Sequence, residues 1–572
     1  MARVLMFILS LAVICYLSFA ETHVHKASLK YHAPSGKFSF KSDGLGDDIA
    51  KASFSNSINQ TGWAYLQLET VDTFPDSAQA YAAGLLEGNV TRDLIKMHWT
   101  NTMAGMCTKP YSKFCSRLSN FLGENLKWMK DQIQEDKTLT HFSPFWHQVE
   151  LFLYQAAGLS DAVNGISRAP HTDVDPMGFF LFQVDGDIED LESVLGDSKI
   201  HRPLGSGSCS ALVKLLPGNK DLYVAQDTWT TFQSMLRILK VYNFPWKMSA
   251  TNPDTIPGRV QSFSSYPGTL MSGDDYYLLS SGLVSMETTI GNSNPGLWSF
   301  VRPTTVLEGI RSVVANRLAK SGKEWVDTFS LLNSGTYNNE WMIVDYKRFR
   351  PGMKTLPPGV LTVLDQIPEY IETADLTDLL VQQGYFASYN VAYFPKIFNE
   401  SGSQAMVDKY GDWFTHDKTP RALIFRRDHV KVKDLDSMTK LMRYNDFTHD
   451  PLSRCNCTPP YSAENAISAR SDLNPVDGKY PFGSLGHRLH GGVDMKLTSF
   501  DMFQDLTFIA VGGPSWDQQP PFQWSRSDFN TTSHLGHPDL WKFAPISFNS
   551  TAIFGDGGIV SKETDLRVKV RH

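Results

Sequence analysis

The chain has 572 residues, of which 42% are hydrophobic, 12% aromatic and 20% charged. These proportions are typical of a globular protein with a large core, and they exclude wholesale disorder. The formal net charge of -7 provides no basic surface for nucleic acid, so we expect no nucleic-acid partner.

The first twenty residues have the pattern of a cleaved secretory signal. Arg3 precedes an apolar run at 5–17, and the small residues Ser18 and Ala20 follow it. The run is too short for a membrane anchor, and no later segment reaches about 18 uninterrupted apolar residues. We therefore predict a signal peptide at 1–20 and a mature protein that is secreted or delivered to lysosomes. The sequence does not separate these two destinations.

Two helices are predicted in the first part of the mature chain. In the first, apolar side chains recur at the three-to-four spacing of a buried stripe, namely Val149, Phe152, Leu153, Ala156 and Leu159. The second is an acidic helical patch from about Asp185 to Leu195. It leads into a polar segment at 196–208, rich in Gly and Ser, which we expect to be exposed and easily cut.

Strand-like periodicity begins directly after this segment. Apolar-rich runs at 210–216 and 222–229 flank Pro217-Gly-Asn-Lys-Asp221, which predicts a β-hairpin and places Cys209 at the leading edge of a sheet. The elements predicted further along are a helix with Phe232, Met235, Leu236 and Leu239 on one face, a strand pair at 275–290 broken at Gly282, and a strand at 340–349.

Cysteine and asparagine usage agrees with a secretory route. Removal of Cys15 with the signal leaves five of the six cysteines, and an odd number leaves at least one thiol unpaired or paired between chains. Sequence proximity suggests two disulfides, Cys107 with Cys115 and Cys455 with Cys457, so that Cys209 remains. The Asn-x-Ser/Thr pattern predicts glycosylation at Asn59, Asn89, Asn399, Asn456, Asn530 and Asn549, although such tripeptides also arise by chance.

Cys209 acquires a specific chemistry if the Ser208–Cys209 peptide bond is broken. The residue then carries a free α-amine with a reference pKa of about 7.7–8.0, beside a thiol with one of about 8.5, so the amine can act as base for the thiol. The Gly-Ser run before Cys209 allows the strained turn in which the thiol attacks the preceding carbonyl. The alternative interpretation is a buried, inert thiol.

Several long runs stand in order along the chain, namely Ser272-Gly-Asp-Asp-Tyr-Tyr-Leu-Leu-Ser-Ser-Gly282, Glu287-Thr-Thr-Ile-Gly-Asn292, Asn333-Ser-Gly-Thr-Tyr-Asn-Asn339 with Trp341-Met-Ile-Val-Asp-Tyr-Lys347, Leu441-Met-Arg-Tyr-Asn-Asp446 and Asn465-Ala-Ile-Ser-Ala-Arg-Ser-Asp-Leu-Asn-Pro475. Together they resemble the phospholipase B-like family. The resemblance extends from about residue 60 to about residue 545, nearly the whole mature chain.

The resemblance implies an α+β fold of the N-terminal nucleophile hydrolase type, with four layers in the order αββα. It implies a single large domain that is nicked after Ser208 into two chains, 21–208 and 209–572, which stay together. The site residues that it implies are Cys209, Asn390, Arg421 and Thr288 as catalytic residues, and Trp229, Gln226 and Asp227 as the substrate pocket.

Each implied role has a physical basis. Asn390 would donate its side-chain amide to an oxyanion, and Thr288 would add a backbone or hydroxyl donor. Arg421 would lower the pKa of the thiol and orient an acyl or phosphate oxygen, while Trp229 would form an apolar wall. Without the resemblance, these residue types are more often structural, as surface ion pairs, core residues, turn residues or strand residues.

The sequence departs from the family pattern at two places. Gln226 stands where related sequences often have His, and glutamine does not exchange protons near neutral pH. Cys455 and Cys457 are separated by one residue, whereas the family more often separates them by two. A disulfide across one residue is strained, and we do not expect it to coexist with a glycan on Asn456.

The function implied by the resemblance is removal of fatty acyl chains from glycerophospholipids through an acyl-cysteine intermediate. Two alternatives stay open: an amidase that acts on N-acyl or peptide amides, and a non-catalytic secreted lipid-binding protein. The expected partner is a phospholipid or another acylated small molecule, with transient membrane-surface contact and a homodimer left open. No cofactor is implied. We expect no metal either: His487 and His490 have a metal-compatible spacing, but the sequence marks no third ligand.

Overall fold

The computed structural model describes residues 24–41, 48–108, 112–139, 143–196 and 209–549. The predicted signal peptide at 1–20, most of the polar segment at 196–208 and Ser208 itself lie outside the described residues. Within the described ranges, no helix is both long enough and apolar enough to cross a membrane.

The larger sheet has eleven strands in the described part of the chain, in the order β13-β12-β11-β10-β9-β8-β7-β4-β3-β1-β2. Its neighbours are antiparallel except for β4 and β7, which are parallel. The strands are β1 His25–His32, β2 Lys37–Lys41, β3 Ala50–Ser57, β4 Trp63–Thr70, β7 Ile238–Asn243, β8 Val260–Ser265, β9 Tyr276–Leu279, β10 Leu283–Thr289, β11 Asn339–Asp345, β12 Leu361–Gln366 and β13 Ile371–Asp375.

The smaller sheet begins with the strand that starts at Cys209. Its order is β14-β5-β6-β16-β17-β20, and β15 also pairs with β6. The strands are β5 Cys209–Leu215, β6 Leu222–Thr231, β14 Tyr385–Ser388, β15 His490–Gly492, β16 Asp494–Thr498, β17 Phe508–Gly512 and β20 Ile546–Phe548, while β18 Phe522–Gln523 and β19 Leu540–Trp541 form a separate pair.

Helices connect and cover the strands. They are α1 Ile58–Thr61, α2 Asp76–Val90, α3 Arg92–Thr102, α4 Ser112–Asp136, α5 Pro144–Asn164, α6 Asp185–Leu195, α7 Glu308–Leu318, α8 Gly322–Phe329, α9 Thr377–Gln383, α10 Pro395–Glu400, α11 Ser403–Tyr410, α12 Pro420–Asp428, α13 Leu435–Met442 and α14 Phe500–Gln504.

The two sheets pack face to face between layers of helices. Alternation along β5 directs Ala211 and Val213 into a core shared with Leu239 and Met342 of the larger sheet. The opposite faces of β5 and β6 pack on α12 and α13, and α2 and α5 cover the larger sheet. The fold is therefore mixed α+β with several sheets, as predicted at that level.

Most of the predicted elements are confirmed, and one is wrong. The buried stripe of α5, the acidic helix α6 and the β5–β6 hairpin lie where the sequence places them. The helix predicted around Phe232 to Leu239 is instead a short 3₁₀ turn followed by β7. A short apolar run fits the periodicity of a helix and that of a strand. Here the run forms a strand because it pairs with β4 and β8.

Close packing of α2 on α5 depends on glycine. A Cβ on Gly84 would overlap the carbonyl oxygen of Gln155, because the two backbones touch there. We expect Gly84→Ala to lower the free energy of unfolding by about 1–3 kcal/mol, as overpacking does. Urea denaturation measures this change.

The matched control for Gly84→Ala is Gly123→Ala in α4, where a new Cβ meets no atom within 4 Å. There the helix propensity of alanine should stabilise the protein by about 0.5–1 kcal/mol. Equal effects of the two substitutions would contradict close helix contact as the cause.

Candidate active site

Cys209 is the first residue of β5 and lies in the middle layers of the molecule. It is 2% exposed, pairs with Thr228 of β6, and is a free cysteine. Because Ala211 and Val213 on the same strand face point into the core between the sheets, the thiol also points into the inter-sheet space. The backbone of Cys209 therefore begins a strand, while its sulfur is enclosed.

Asn390 holds the backbone nitrogen of Cys209. It follows β14 in a left-handed conformation with φ of 68°, and its Oδ1 accepts from the Cys209 N–H at 3.5 Å. Its Nδ2 donates to the Thr289 carbonyl at 2.6 Å, and its own N–H donates to Thr288 Oγ1 at 3.3 Å. The amide donor foreseen for an oxyanion is thus bonded to protein here, and the oxyanion role stays a prediction.

Arg421 holds the other side of the Cys209 backbone. It lies in the first turn of α12, and its Nη1 donates to the Cys209 carbonyl at 2.6 Å and to Ser210 Oγ at 3.3 Å. Its guanidinium lies 4.3 Å from the ring centroid of Trp229. Burial lowers the pKa of Arg421 to about 10, so the group remains a cation at acidic and neutral pH.

The three residues implied for the pocket have different positions. Trp229 is buried against Arg421 and donates its indole N–H to the Ile467 carbonyl at 3.2 Å. Gln226 is fully buried and donates to the carbonyls of Asp274 and Glu287, each at 2.7 Å, which ties the two sheets together. Asp227 is also fully buried, and burial raises the pKa of its carboxyl well above the usual range.

Two cavities lie next to Cys209. A cavity of about 60 Å³ is lined by Cys209 itself, with Thr228, Trp229, His98, Tyr266 and Tyr337. A larger one, of about 220 Å³, is lined by Asn390, Arg421, Tyr389, Trp298, Trp413 and Met406. Thr289 and Glu189 line both, so the two cavities are neighbours, and Cys209 lines the smaller one. Gln226 and Asp227 line neither, which agrees with their full burial.

The comparison with known proteins identifies the family. The sequence model of the phospholipase B family matches residues 50–548. The chain belongs to this family. A mouse (Mus musculus) protein named "Putative phospholipase B-like 2" is 51% identical over 527 residues, 91% of this chain and 88% of its own. The human (Homo sapiens) protein of the same name is 52% identical over 511 residues, with 87% and 85% covered. A Dictyostelium discoideum protein named "Phospholipase B-like protein B" is 38% identical over 533 residues, 91% and 89% of the two chains.

In this phospholipase B-like chain, opposing groups surround the thiol. Burial, and then the charge of Glu287, raise the pKa of the Cys209 thiol well above its ordinary value, whereas the charge of Lys496 and a hydrogen bond from the backbone N–H of Trp229 lower it. In the described chain the thiol is therefore protonated at neutral pH. Lys496, Glu287 and His98 were not predicted from the sequence. The available signal for Lys496 was the charged pair Asp494 and Lys496, which alternates with the apolar Met495 and Leu497 in one strand.

None of the paired cysteines and none of the candidate glycosylation sites lines either cavity. The structure forms both disulfides, Cys107–Cys115 and Cys455–Cys457, including the closely spaced pair. Of the predicted glycosylation sites, Asn59, Asn399, Asn456 and Asn530 are exposed, while Asn89 and Asn549 are partly buried. Their glycosylation stays a prediction.

The paired histidines of the sequence do not share a helix. His487 donates Nδ1–H to the Asn474 carbonyl at 2.6 Å and stacks on Phe529, and His490 begins β15. Across the described residues, no group of three His, Cys, Asp or Glu side chains is arranged to hold a metal ion.

His98 makes the stability of this family member depend on pH. The ring is buried between Phe182 and Tyr266, and burial together with the charges of Arg237 and Lys240 lowers the pKa of His98 to about 3. In the unfolded chain the His98 imidazole takes up a proton near pH 6.5, whereas in the folded chain it stays neutral at that pH. The contribution of His98 to the free energy of unfolding is therefore fully present above about pH 6.5 and is lost as the pH falls towards 3, by about 2 kcal/mol at pH 5.

We expect His98→Phe to remove this pH dependence while it keeps an aromatic ring in the stack. On going from pH 7.5 to pH 5, the free energy of unfolding of the variant should rise by about 2 kcal/mol relative to that of the parent. Urea denaturation at both pH values measures this difference. At pH 7.5 the difference in the free energy of unfolding between variant and parent reflects packing alone. If this free energy depended on pH identically in the two proteins, the prediction would be contradicted.

Proposed function

We propose that the chain is an N-terminal nucleophile hydrolase that cleaves itself before Cys209 and removes fatty acyl chains from glycerophospholipids. The observation that carries the proposal is the placement of a free cysteine at the start of a central strand. Asn390 contacts its nitrogen and Arg421 its carbonyl oxygen. These are the contacts that would keep a newly formed terminal residue in place after the chain is cut.

Self-cleavage would proceed by attack of the Cys209 sulfur on the Ser208 carbonyl carbon. The C–N bond breaks as a thioester forms, the proton of the thiol passes to the departing amine, and water hydrolyses the thioester. The products are a carboxylate on Ser208 and a free amine on Cys209. Only after this step does the residue contain both a nucleophile and a base.

Turnover would use the same groups on an ester. The Cys209 amine takes the thiol proton, the thiolate adds to the acyl carbonyl, and collapse of the tetrahedral intermediate expels the alcohol, which receives the proton. Water then hydrolyses the acyl-cysteine and releases the fatty acid. Arg421 donates to the Cys209 carbonyl and would hold the backbone of the reacting residue in place.

The larger cavity supports an acylated substrate. Trp298, Trp413 and Met406 give it apolar surface, while Asn390 and Arg421 provide polar groups at the end next to Cys209. Ligand sites in proteins usually combine mostly apolar walls with a few convergent polar groups. A secretory or lysosomal destination, transient contact with a membrane surface and a homodimer form part of the same proposal.

Mass spectrometry and product analysis test this function. The purified mature protein should contain a fragment that begins at Cys209, and it should release free fatty acid from a phospholipid. An N-acyl amide with the same acyl chain serves as the second substrate. Release from the amide alone would assign an amidase instead, and a fully active chain that is intact between Ser208 and Cys209 would overturn the mechanism.

A further inference from the structure

A fully buried ion pair lies two strands away from Cys209. Lys496 and Asp494 are on β16, both inaccessible to solvent, and Lys496 Nζ lies 2.9 Å from each carboxylate oxygen of Asp494. Arg237 pairs with Asp494 at 2.9 Å and with Asp274, which lies 3.8 Å from Lys496. Two cations and two carboxylates therefore share one enclosed site between the sheets.

Thr228 connects this ion pair to Cys209. It pairs with Cys209 across β5 and β6, and its Oγ1 accepts from Lys496 Nζ at 2.6 Å. Its N–H donates to Asp494 Oδ1 at 2.9 Å. Because Lys496 pairs opposite Gln226, two residues from Thr228, alternation places Lys496, Thr228 and Cys209 on the same face of the sheet.

Arg421 lies on the other face of this sheet. Its guanidinium contacts Ser210 Oγ and the ring of Trp229, two side chains that alternation directs away from the inter-sheet space. Arg421 therefore contacts the nucleophile through its backbone carbonyl. Lys496 is the cation on the side of the thiol.

Stability alone gives little reason for such a pair. Removing two charges from water costs several kcal/mol per ion, and well-packed apolar residues often replace a buried pair without loss. An ammonium group close to a buried thiol, in contrast, favours the thiolate. The titratable groups around the thiol and the ammonium come from several elements, namely Glu287, Asp494, Asp274, Arg237, His98, Tyr266, Tyr337, Asp185 and Glu189. Burial raises the pKa of both tyrosines, so they are neutral at neutral pH.

We propose that Lys496 is a positioning residue that stabilises the thiolate of Cys209 through its buried charge and its hydrogen bond to Thr228. The inference rests on the proposed role of Cys209 as nucleophile. Lys496 acts as a charge and transfers no proton: burial lowers its pKa, whereas the adjacent Asp494 carboxylate raises it and favours the ammonium. The proton of the thiol passes to the α-amine of Cys209. Asp494 holds the ammonium in place and limits its influence on the sulfur.

The test measures the pH dependence of thiol alkylation in the mature protein. Iodoacetamide is added over a range of pH, and mass spectrometry quantifies modification of the peptide that contains Cys209. We expect Lys496→Met to raise the midpoint by about one pH unit or more, which is a tenfold loss of rate below the midpoint. The midpoint belongs to the coupled thiol and amine, so only differences between variants are interpreted.

Lys240→Met is the matched control, because Lys240 is equally buried and forms an ion pair with Glu87. It removes a buried lysine without removing the hydrogen bond to Thr228. The midpoint of Lys240→Met should match that of the parent. Lys496→Arg, which keeps the charge, should have a midpoint close to that of the parent. Equal midpoints for Lys496→Met and Lys240→Met would overturn the inference.

Asp494→Asn provides a second test if Lys496→Met does not fold. Asp274 still supplies a counter-charge to Lys496, while the charge that opposes the thiolate is removed. The midpoint should therefore fall, and a rise would overturn the inference. These outcomes do not depend on turnover. If the variants shifted the alkylation midpoint as expected but the parent released no fatty acid, only the proposed function would be rejected.

Discussion

Cys209→Ala is expected to abolish acyl hydrolysis while the protein remains folded. Loss of a nucleophile that acts as a unit with its base lowers kcat on the order of 10³–10⁶-fold. The same substitution removes the sulfur that would attack the Ser208 carbonyl, so the variant should also remain a single chain. Release of fatty acid and the masses of the fragments measure the two effects on one sample.

Cys209→Ser separates these effects, because a hydroxyl can support slow cleavage. The serine variant should retain a small fraction of processing and turnover, and the alanine variant neither. Both variants should still unfold cooperatively on heating, because the substitutions are small. If Cys209→Ala processed and hydrolysed substrate at the parental rate, Cys209 would not be the nucleophile.

Lys240→Met is expected to cause a large loss of stability. Lys240 is fully buried, and its Nζ donates to Glu87 Oε1 at 2.7 Å, while the Tyr242 hydroxyl donates to Glu87 Oε2 at 2.5 Å. Without the ammonium, the Glu87 carboxylate is left in an enclosed site without its counter-charge. Removal of one partner of a buried pair costs about 3–5 kcal/mol in the free energy of unfolding.

An exposed ion pair is the control for Lys240→Met. Lys323 and Asp327 are 2.6 Å apart on the solvent face of α8. Such pairs contribute about 0–1 kcal/mol because water competes with them, so Lys323→Met should be nearly neutral. Urea denaturation compares the two variants, and similar losses would show that burial is not the cause.

Local sequence predicted the elements whose partners are close in the chain. The buried stripe of α5 and the β5–β6 hairpin each follow from side-chain periodicity and turn residues within about 20 residues. The run at Phe232 to Leu239 fits both a helix and a strand, and its partners β4 and β8 decide between them. Distant pairing is not visible in a short window of sequence.

The candidate site depends still more on distant segments. Asn390 is 181 residues from Cys209, and Lys496 is 268 residues from Thr228. The family resemblance supplied Asn390 and Arg421, but residue type alone gives no reason to choose them among many Asn and Arg residues. Lys496 was missed because a lysine in a sequence usually indicates exposed surface, and only the paired sheets show it enclosed.

The larger sheet contains strands from both sides of the proposed cut. β1 to β4 precede it, and β4 joins β7 through six parallel residue pairs. A cut chain would thus be held together by a shared sheet, but its unfolding would release two polypeptides. Refolding would then become a bimolecular reaction, and the melting temperature would rise with protein concentration, which it does not do for an uncut monomer. Cleavage would convert one chain that folds by itself into two fragments that must associate before they can refold.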